Sequence, residues 1–243
     1  MAANSHIRAI IWDYDGTLVD TGQKNLNVTK KLIRDIAHKN PDDITALQSL
    51  ENYDEAIKKT SNWRELYTKE FGLSEEQTDS AGRLWTEYQL NDTTPTAYYD
   101  GIDSVLESLK TFPQGIVSAN AHLNIEHALQ VCDLLRYFSC IVGYEQVAYE
   151  RQKPEPDGVL MCLEKIAKLD TGVIFYIGDH EADARCVFNS NKAFKRQNRD
   201  IRVISIGAFY GSEHDDSDWK VKPDYKAADT QDIISIIQSF SSR

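Results

Sequence analysis

The sequence predicts an α/β fold in which a parallel sheet carries helices on both faces. Short apolar runs with the length of buried strands recur at residues 7–12, 115–118, 138–143, 173–178 and 202–207. Helical patterns alternate with the later runs, at residues 102–110, 123–131, 156–167, 181–190 and 230–240. This alternation indicates a parallel sheet, and ligands of such sheets bind outside the carboxyl ends of the strands.

Residues 20–98 interrupt the alternation, because they contain helical signals and no convincing strand. Apolar residues recur at helical spacing around Leu32 and Leu84, and Ser74 with Gln77 predicts a capping box at the start of a helix. An insertion of about eighty residues is much longer than a crossover helix. We therefore expect a helical cap over 20–98 and a core formed by 1–19 with 99–243. The alternative is that these helices cover one face of the sheet.

Composition narrows the class of protein. The chain has 243 residues, of which 41% are hydrophobic and 27% charged, as in ordinary globular proteins. It lacks the run of about 20 apolar residues that a membrane helix needs, and its first residues do not resemble a signal peptide. We therefore expect a cytoplasmic protein without a membrane partner. The net charge of −11 argues against binding to nucleic acid.

Polar residues suited to a single reaction follow four predicted strands. They are Asp13 and Asp15 after the first run, Ser118 and Asn120 after the second, Lys153 in the segment KPEPD, and Asp179 and Asp183 in the segment GDHEAD. In a parallel sheet these positions converge on one edge. Clustered carboxylates repel one another unless a cation lies between them, and Mg²⁺ suits such a cluster when phosphate oxygens complete its shell.

The other residues at this edge suit a phosphoryl group. Lys153 supplies a positive charge, Ser118 a hydroxyl donor, and the turn at Gly16 and Thr17 backbone N–H groups, which together balance charge on the phosphoryl oxygens. A free aspartate could then attack phosphorus and form a covalent aspartyl phosphate.

Four segments, in order, resemble the motifs of the haloacid dehalogenase superfamily. The segments are DYDGT from Asp13, IVSAN ending at Asn120, KPEPD from Lys153 and GDHEAD ending at Asp183. The resemblance is to the phosphatase branch with a helical cap after the first strand, which includes enzymes like phosphoglycolate phosphatase and β-phosphoglucomutase. It implies a Rossmann-like core and a Mg²⁺-dependent phosphomonoester hydrolase that acts on a small phosphorylated metabolite.

The same resemblance implies roles for individual residues. The implied catalytic residues are Asp13 as the nucleophile, Asp15 as the general acid and base, Ser118, which would bind phosphate, and Lys153, which would stabilise the nucleophile and the phosphate. The implied metal residues are Asp13, Asp15 through its backbone carbonyl, Asp179, and Asp183 as support for the metal shell. Further candidates for substrate or phosphate binding are Ala119, Asn120 and, in the cap, Arg64. Asn120 could equally well order the loop.

Several alternatives bear on this interpretation. The dehalogenase and phosphonatase branches lack an aspartate two residues after the nucleophile, whereas Asp15 is present. Sugar-phosphate mutases remain an alternative, although their hinge typically carries a histidine and residues 20–23 contain none. A catalytically silent binding protein would be expected to have lost one of the costly charges, and none is missing. Phosphoglycolate, sugar phosphates, polyol phosphates and nucleotides all remain open as substrates.

Two further features lie beyond the metal motif. The family commonly has an Ala-Gly pair where this chain has Ser190 and Asn191. A basic stretch follows at residues 192–202, and we predict a surface loop there. The four cysteines lack a CxxC pair and have apolar neighbours, which predicts reduced thiols in the core.

Overall fold

A computed structural model describes residues 6–60, 62–167, 171–211 and 215–241. Its strands are β1 (Ile7–Trp12), β2 (Val19–Asp20), β3 (Ala97–Tyr98), β4 (Gln114–Val117), β5 (Cys140–Val142), β6 (Thr171–Gly178), β7 (Asp200–Ala208) and β8 (Tyr225–Ala227). Six of them form a parallel sheet in the order β5-β4-β1-β6-β7-β8. The short strands β2 and β3 pair separately. The predicted α/β fold with a parallel sheet is confirmed.

Helices separate the successive strands of the large sheet as far as β7 and fill the segment between β2 and β3. They are α1 (Gly22–Leu32), α2 (Leu50–Lys58), α3 (Trp63–Glu65), α4 (Glu75–Asn91), α5 (Ile102–Ser108), α6 (His122–Val131), α7 (Asp157–Ile166), α8 (Glu181–Arg196) and α9 (Thr230–Ser241). Five-residue π-helical segments, Ile33–Ala37 and Leu66–Glu70, continue α1 and α3. None of the helices in the described part of the chain has the length and apolar character that crossing a bilayer requires.

The chain divides into two compact units. The sheet unit contains the residues up to Val19 and those from Tyr98 onward, and the helical unit is Asp20–Ala97. The helical unit has its own apolar core, which includes Leu47, Tyr67 and Phe71. The predicted capping box is present in this unit, since Ser74 accepts from the Gln77 N–H and the Gln77 side chain accepts from the Ser74 N–H.

The two faces of the large sheet are covered by different helices. In β1, Ile10 and Trp12 pack with residues of α5, α6 and α9, whereas Ala9 and Ile11 pack with residues of α7 and α8. Successive side chains of a strand point to opposite faces, so a strand buried on both sides must be apolar throughout. This explains why the central strands read as continuous apolar runs and why the edge where they end is available for polar groups.

The predicted loop at residues 192–202 is wrong. Helix α8 continues to Arg196, and β7 begins at Asp200, so only a three-residue turn separates them. The helix extends because Val187, Ser190 and Phe194 continue its buried face, and Phe194 is fully buried. This last helical turn was not predicted from the sequence because basic side chains on its outer face lie between the apolar residues. A cation near a helix C-terminus is also stabilising, because it complements the helix dipole.

Asn191 accounts structurally for the departure from the family's Ala-Gly pair. Its side-chain amide donates to the Val203 carbonyl and accepts from the Val203 N–H, both at 2.8 Å. Val203 lies at a level of β7 that β8 does not reach, because β8 pairs only with Ile206–Ala208. The amide of Asn191 therefore satisfies backbone groups that the short edge strand leaves unpaired.

Candidate active site

The register of the sheet brings three predicted site residues to one edge. Trp12, the last residue of β1, pairs with β4 on one side and with β6 on the other. Asp13, Ser118 and Asp179 each follow the end of one of these three adjacent strands. The carboxyl ends of β1, β4 and β6 therefore place a carboxylate, a hydroxyl and a second carboxylate on the same edge.

Lys153 lies between two buried carboxylates. Its Nζ is 2.8 Å from Asp13 Oδ2 and 2.7 Å from Asp183 Oδ1. The side chain of Lys153 is 9% exposed and those of Asp13 and Asp183 are 10% and 4% exposed, so this ion-pair network is removed from solvent. Asp13 also accepts a 2.8 Å hydrogen bond at Oδ1 from the Tyr14 N–H. These contacts orient the Asp13 carboxylate.

Asp183 is engaged on both carboxylate oxygens. Besides Lys153, Oδ1 accepts from the Tyr176 hydroxyl at 3.0 Å, and Oδ2 accepts from the His180 N–H at 3.1 Å. A carboxylate that already accepts these bonds is well suited to orient its neighbours. Tyr176 escaped the sequence analysis, although a tyrosine in the otherwise apolar strand β6 was the available signal, because a buried hydroxyl needs a partner.

Burial dominates the electrostatics of the site. It raises the pKa of Asp13 to about 7; Lys153 acts in the opposite direction, and Asp183 raises the pKa further. Burial also raises the pKa of Asp179, and the charges of Asp13 and Asp183 add to the effect. Burial alone would lower the pKa of Lys153, but Asp13 and Asp183 outweigh it and raise that pKa. The carboxylates thus repel one another in a site where Lys153 remains charged.

The residues present fit a divalent cation. Asp13, Asp179 and Asp183 offer carboxylate oxygens that all lie within 4.8 Å of one another. Three carboxylates and the one ammonium of Lys153 leave a charge of −2 when all are ionised. One divalent cation would neutralise this charge, and oxygen donors are those that Mg²⁺ prefers. The cluster therefore has the donor type and the charge for such an ion.

The turn after Asp13 is shaped around Asp179. Gly16 has a φ of +73°, and a Cβ at this position would collide with the Asp179 carboxylate. The Thr17 hydroxyl donates to Asp179 Oδ1 at 3.1 Å, and the Tyr210 hydroxyl donates to the Thr17 carbonyl at 2.7 Å. Glycine is needed because the backbone conformation and the close approach both exclude a side chain. Tyr210 had no signal in the sequence, because it reaches this turn from the end of β7.

The loop after β4 connects Ser118 with Asp15. Ser118 Oγ accepts from the Asn120 N–H at 3.1 Å, and Asn120 Nδ2 donates to Asp15 Oδ1 at 3.1 Å. Ser118 and Asn120 are buried, whereas Ala119 between them is exposed. Asn120 therefore links the second strand end to the second aspartate of the DYDGT segment.

Arg64 lies in the helical unit. Its guanidinium pairs with Glu75 at 3.0 Å and with Asp79 at 2.6 Å. These contacts engage the charge of Arg64 within its own unit. A role in substrate binding stays a prediction for this residue.

Comparison with known families agrees with this arrangement. The profile of haloacid dehalogenase-like hydrolases matches residues 10–194, about three quarters of the chain. The chain belongs to the haloacid dehalogenase-like hydrolase family. It is thus an enzyme of the hydrolase class, as the resemblance of its four motifs implied.

Relatives within this family cover most of the chain. Pyrophosphatase PpaX from Listeria monocytogenes serotype 4a (strain HCC23) is 21% identical over 236 residues, which cover 96% of this chain and 97% of the relative. A phosphoglycolate phosphatase from Aquifex aeolicus (strain VF5) is 26% identical over 186 residues, 73% of this chain and 78% of the relative. Both relatives carry the names of phosphate-releasing enzymes.

A solved structure shows the same fold. The haloacid dehalogenase-like family hydrolase of Streptococcus pneumoniae superimposes with a TM-score of 0.70 at 17% identity and covers 96% of this chain and 99% of its own. The similarity supports the haloacid dehalogenase fold for this chain.

Proposed function

We propose that this hydrolase is a Mg²⁺-dependent phosphomonoesterase that acts on a small phosphorylated metabolite through an aspartyl phosphate on Asp13. The observation that carries the proposal is the buried Asp13–Lys153–Asp183 network beside Asp179. Phosphoryl transfer depends mainly on positioning and on compensation of charge, and this network supplies both. The names of the two relatives support a phosphate-releasing reaction.

The proposed reaction has two steps. A carboxylate oxygen of Asp13 forms a bond to phosphorus while the bond from phosphorus to the leaving oxygen breaks, and Asp15 gives a proton to the departing alkoxide. Asp15 then takes a proton from a water molecule, which attacks phosphorus and releases inorganic phosphate and free Asp13. Ser118 and Lys153 bind the phosphoryl oxygens in both steps. Splitting a slow hydrolysis through a covalent intermediate lowers the barrier of each step.

Mg²⁺ would be bound by the carboxylates of Asp13 and Asp179 and by the backbone carbonyl of Asp15, and it would compensate negative charge on the phosphoryl group. Asp183 would support this shell from outside, since Lys153, Tyr176 and His180 already engage its oxygens. The chemistry of the donors and the net charge of the cluster favour this assignment.

The decisive experiment measures phosphate release from a panel of candidate substrates. The panel contains phosphate esters, among them phosphoglycolate, and also pyrophosphate. Wild-type protein should lose its activity on chelation and regain it when Mg²⁺ is added back. Asp13→Asn should fold normally and show turnover near background, because an amide is a poor nucleophile. Asp103→Asn, a change at an exposed position of α5, is the matched control and should keep full activity. Full activity without a divalent metal would contradict the proposal.

A further inference from the structure

Asn120 lies in the buried loop between β4 and α6, beside the proposed acid and base. It is 4% exposed, and its Nδ2 is 3.1 Å from Asp15 Oδ1. We propose that Asn120 is a positioning residue that holds the carboxyl group of Asp15 in the orientation from which it exchanges a proton with the leaving group. The inference rests on the proposed function, because it assigns Asn120 a place in the proton-transfer step.

The orientation of the Asn120 amide follows from its other contacts. Asn120 Oδ1 accepts from the Ala121 N–H at 2.8 Å and from Asn124 Nδ2 at 3.2 Å. A backbone N–H can only donate, so the atom that faces it must be the amide oxygen. The NH₂ group must then point the other way, toward Asp15. The direction of the hydrogen bond to Asp15 is therefore determined by the backbone of the loop.

The backbone of Asn120 is hydrogen-bonded to residues that follow β4 and β5. Its N–H donates to Ser118 Oγ at 3.1 Å, and its carbonyl accepts from the Tyr144 N–H at 3.1 Å. Because hydrogen bonds hold both its side chain and its backbone, Asn120 has little conformational freedom. The amide is thus a rigid donor at a defined point beside Asp15, as a preorganised site requires.

This donor restricts the orientation of the Asp15 carboxyl group. Oδ1 accepts from the Asn120 amide at 3.1 Å, so rotation of the carboxyl group would break this hydrogen bond. A carboxyl group that is free to rotate would present either oxygen, and only part of its population would be ready for transfer. Asn120 is expected to assist only the step that needs a proton.

We predict that substitution of Asn120 lowers kcat/KM by a factor that depends on the leaving group of the substrate. An aliphatic alkoxide needs a proton to depart, whereas p-nitrophenolate leaves readily without one. The comparison uses p-nitrophenyl phosphate and the aliphatic phosphate ester that wild-type protein hydrolyses best. The quantity to compare is kcat/KM at saturating Mg²⁺, because it reports the first irreversible step.

The main variant is Asn120→Ala, which removes the donor that faces Asp15 without adding a charge to the site. We expect kcat/KM for the aliphatic ester to fall at least about tenfold, a part of the ~10²–10⁴-fold that general acid catalysis contributes. For p-nitrophenyl phosphate it should stay within about threefold of wild type, as expected when no proton is required. Asn120→Asp is the second variant. It keeps the shape of the side chain but places a second carboxyl group beside Asp15, so it should show the same selectivity together with a further loss for both esters, because like charges repel. His127→Ala, at an exposed position of α6, is the control.

Other outcomes would overturn the inference. Equal losses for both esters through a higher KM would make Asn120 a phosphate contact. A lower melting temperature with an unchanged ratio between the esters, in either variant, would make it a residue that only orders the loop. If wild-type protein releases no phosphate from either ester, the proposed function itself fails, and this result is distinct because it does not depend on any variant.

Discussion

Lys153 Nζ lies 2.8 Å from Asp13 Oδ2, and both side chains are almost completely buried. The same ammonium group contacts Asp183, so one positive charge compensates two carboxylates. Removing one partner of a buried ion pair costs about 3–5 kcal/mol, because the remaining charge has lost both water and its counterion. The pair therefore links the proposed chemistry of the site to the stability of the sheet unit.

Lys153→Met should reduce both activity and stability. We expect kcat/KM to fall by about 10²-fold or more, the usual effect of losing one preorganised electrostatic contact. In the metal-free protein the melting temperature should fall by about 10 °C, since a domain of this size shifts by about 2–4 °C per kcal/mol. Lys165→Met, at an exposed position of α7, should change neither quantity appreciably. Unchanged stability in Lys153→Met would show that the pair contributes no net free energy.

Asp15→Asn should separate the two proposed steps. The first step needs no proton when p-nitrophenolate leaves, so p-nitrophenyl phosphate should give a stoichiometric burst of p-nitrophenol. The second step lacks its base, so turnover should then stall with phosphate on Asp13. Intact-protein mass spectrometry should detect the added phosphoryl group. Steady turnover of aliphatic phosphates by this variant would show that Asp15 is not the acid and base.

Gly16→Ala should disrupt the proposed metal site more than it disrupts the fold. Both Gly16 and Gly72 have positive φ, +73° and +65°. A Cβ at Gly16 would collide with Asp179, whereas at Gly72 its one near neighbour is Lys39 Nζ at 3.6 Å. Both alanine variants should lose about 1–2 kcal/mol from the left-handed backbone. Only Gly16→Ala should also weaken Mg²⁺ binding measured by calorimetry, and equal Mg²⁺ affinities in the two variants would contradict this expectation.

Asn191→Leu should destabilise the edge of the sheet without affecting the chemistry. The variant leaves the N–H and carbonyl of Val203 without the bonds that Asn191 provides. Each unsatisfied buried group costs about 1–3 kcal/mol, so the melting temperature should fall by about 5 °C or more. Lys195→Leu, on the exposed face of the same helix, is the control. Activity at 25 °C should remain near that of wild type, and a large loss would indicate a longer-range effect.

Stability should depend on pH through Asp54 on α2. Burial raises the pKa of Asp54 to about 6 from its ordinary value of 3.8; Lys58 acts in the opposite direction, and Asp20 and Glu55 add to the rise. The folded state therefore binds this proton more tightly than the unfolded chain, and stability falls as pH rises from about 4 to about 6. Asp54→Asn removes this effect. Its melting temperature relative to wild type should increase across that interval, and a difference independent of pH would contradict the assignment.

The class of fold and the candidate site residues could be predicted from the sequence. The central strands could be predicted because burial on both faces requires continuous apolar runs, as in β1. The carboxylates could be recognised because charged groups directly after buried strands lose solvation, which costs free energy unless a partner of opposite charge compensates them. The prediction was less accurate for the two edge strands of the sheet. Strand β5 is only Cys140–Val142, shorter than predicted, and β8 was not predicted. Edge strands are short and lack the two-sided burial that marks the centre of the sheet.

Which side chains are in contact depends on the tertiary structure. No spacing in the sequence shows that Lys153 contacts both Asp13 and Asp183, or that Asn120 donates to Asp15 rather than lying free in its loop. These partners lie in different segments, after β1, after β4, before α7 and within α8, and their distances depend on how the strands β4, β1 and β6 pair. The end of α8 was decided in the same way, because the burial of Phe194 against the sheet outweighs the basic residues around it. Local sequence specifies periodicity and chemistry, but contacts between distant segments arise only when burial of the shared core brings those segments into register.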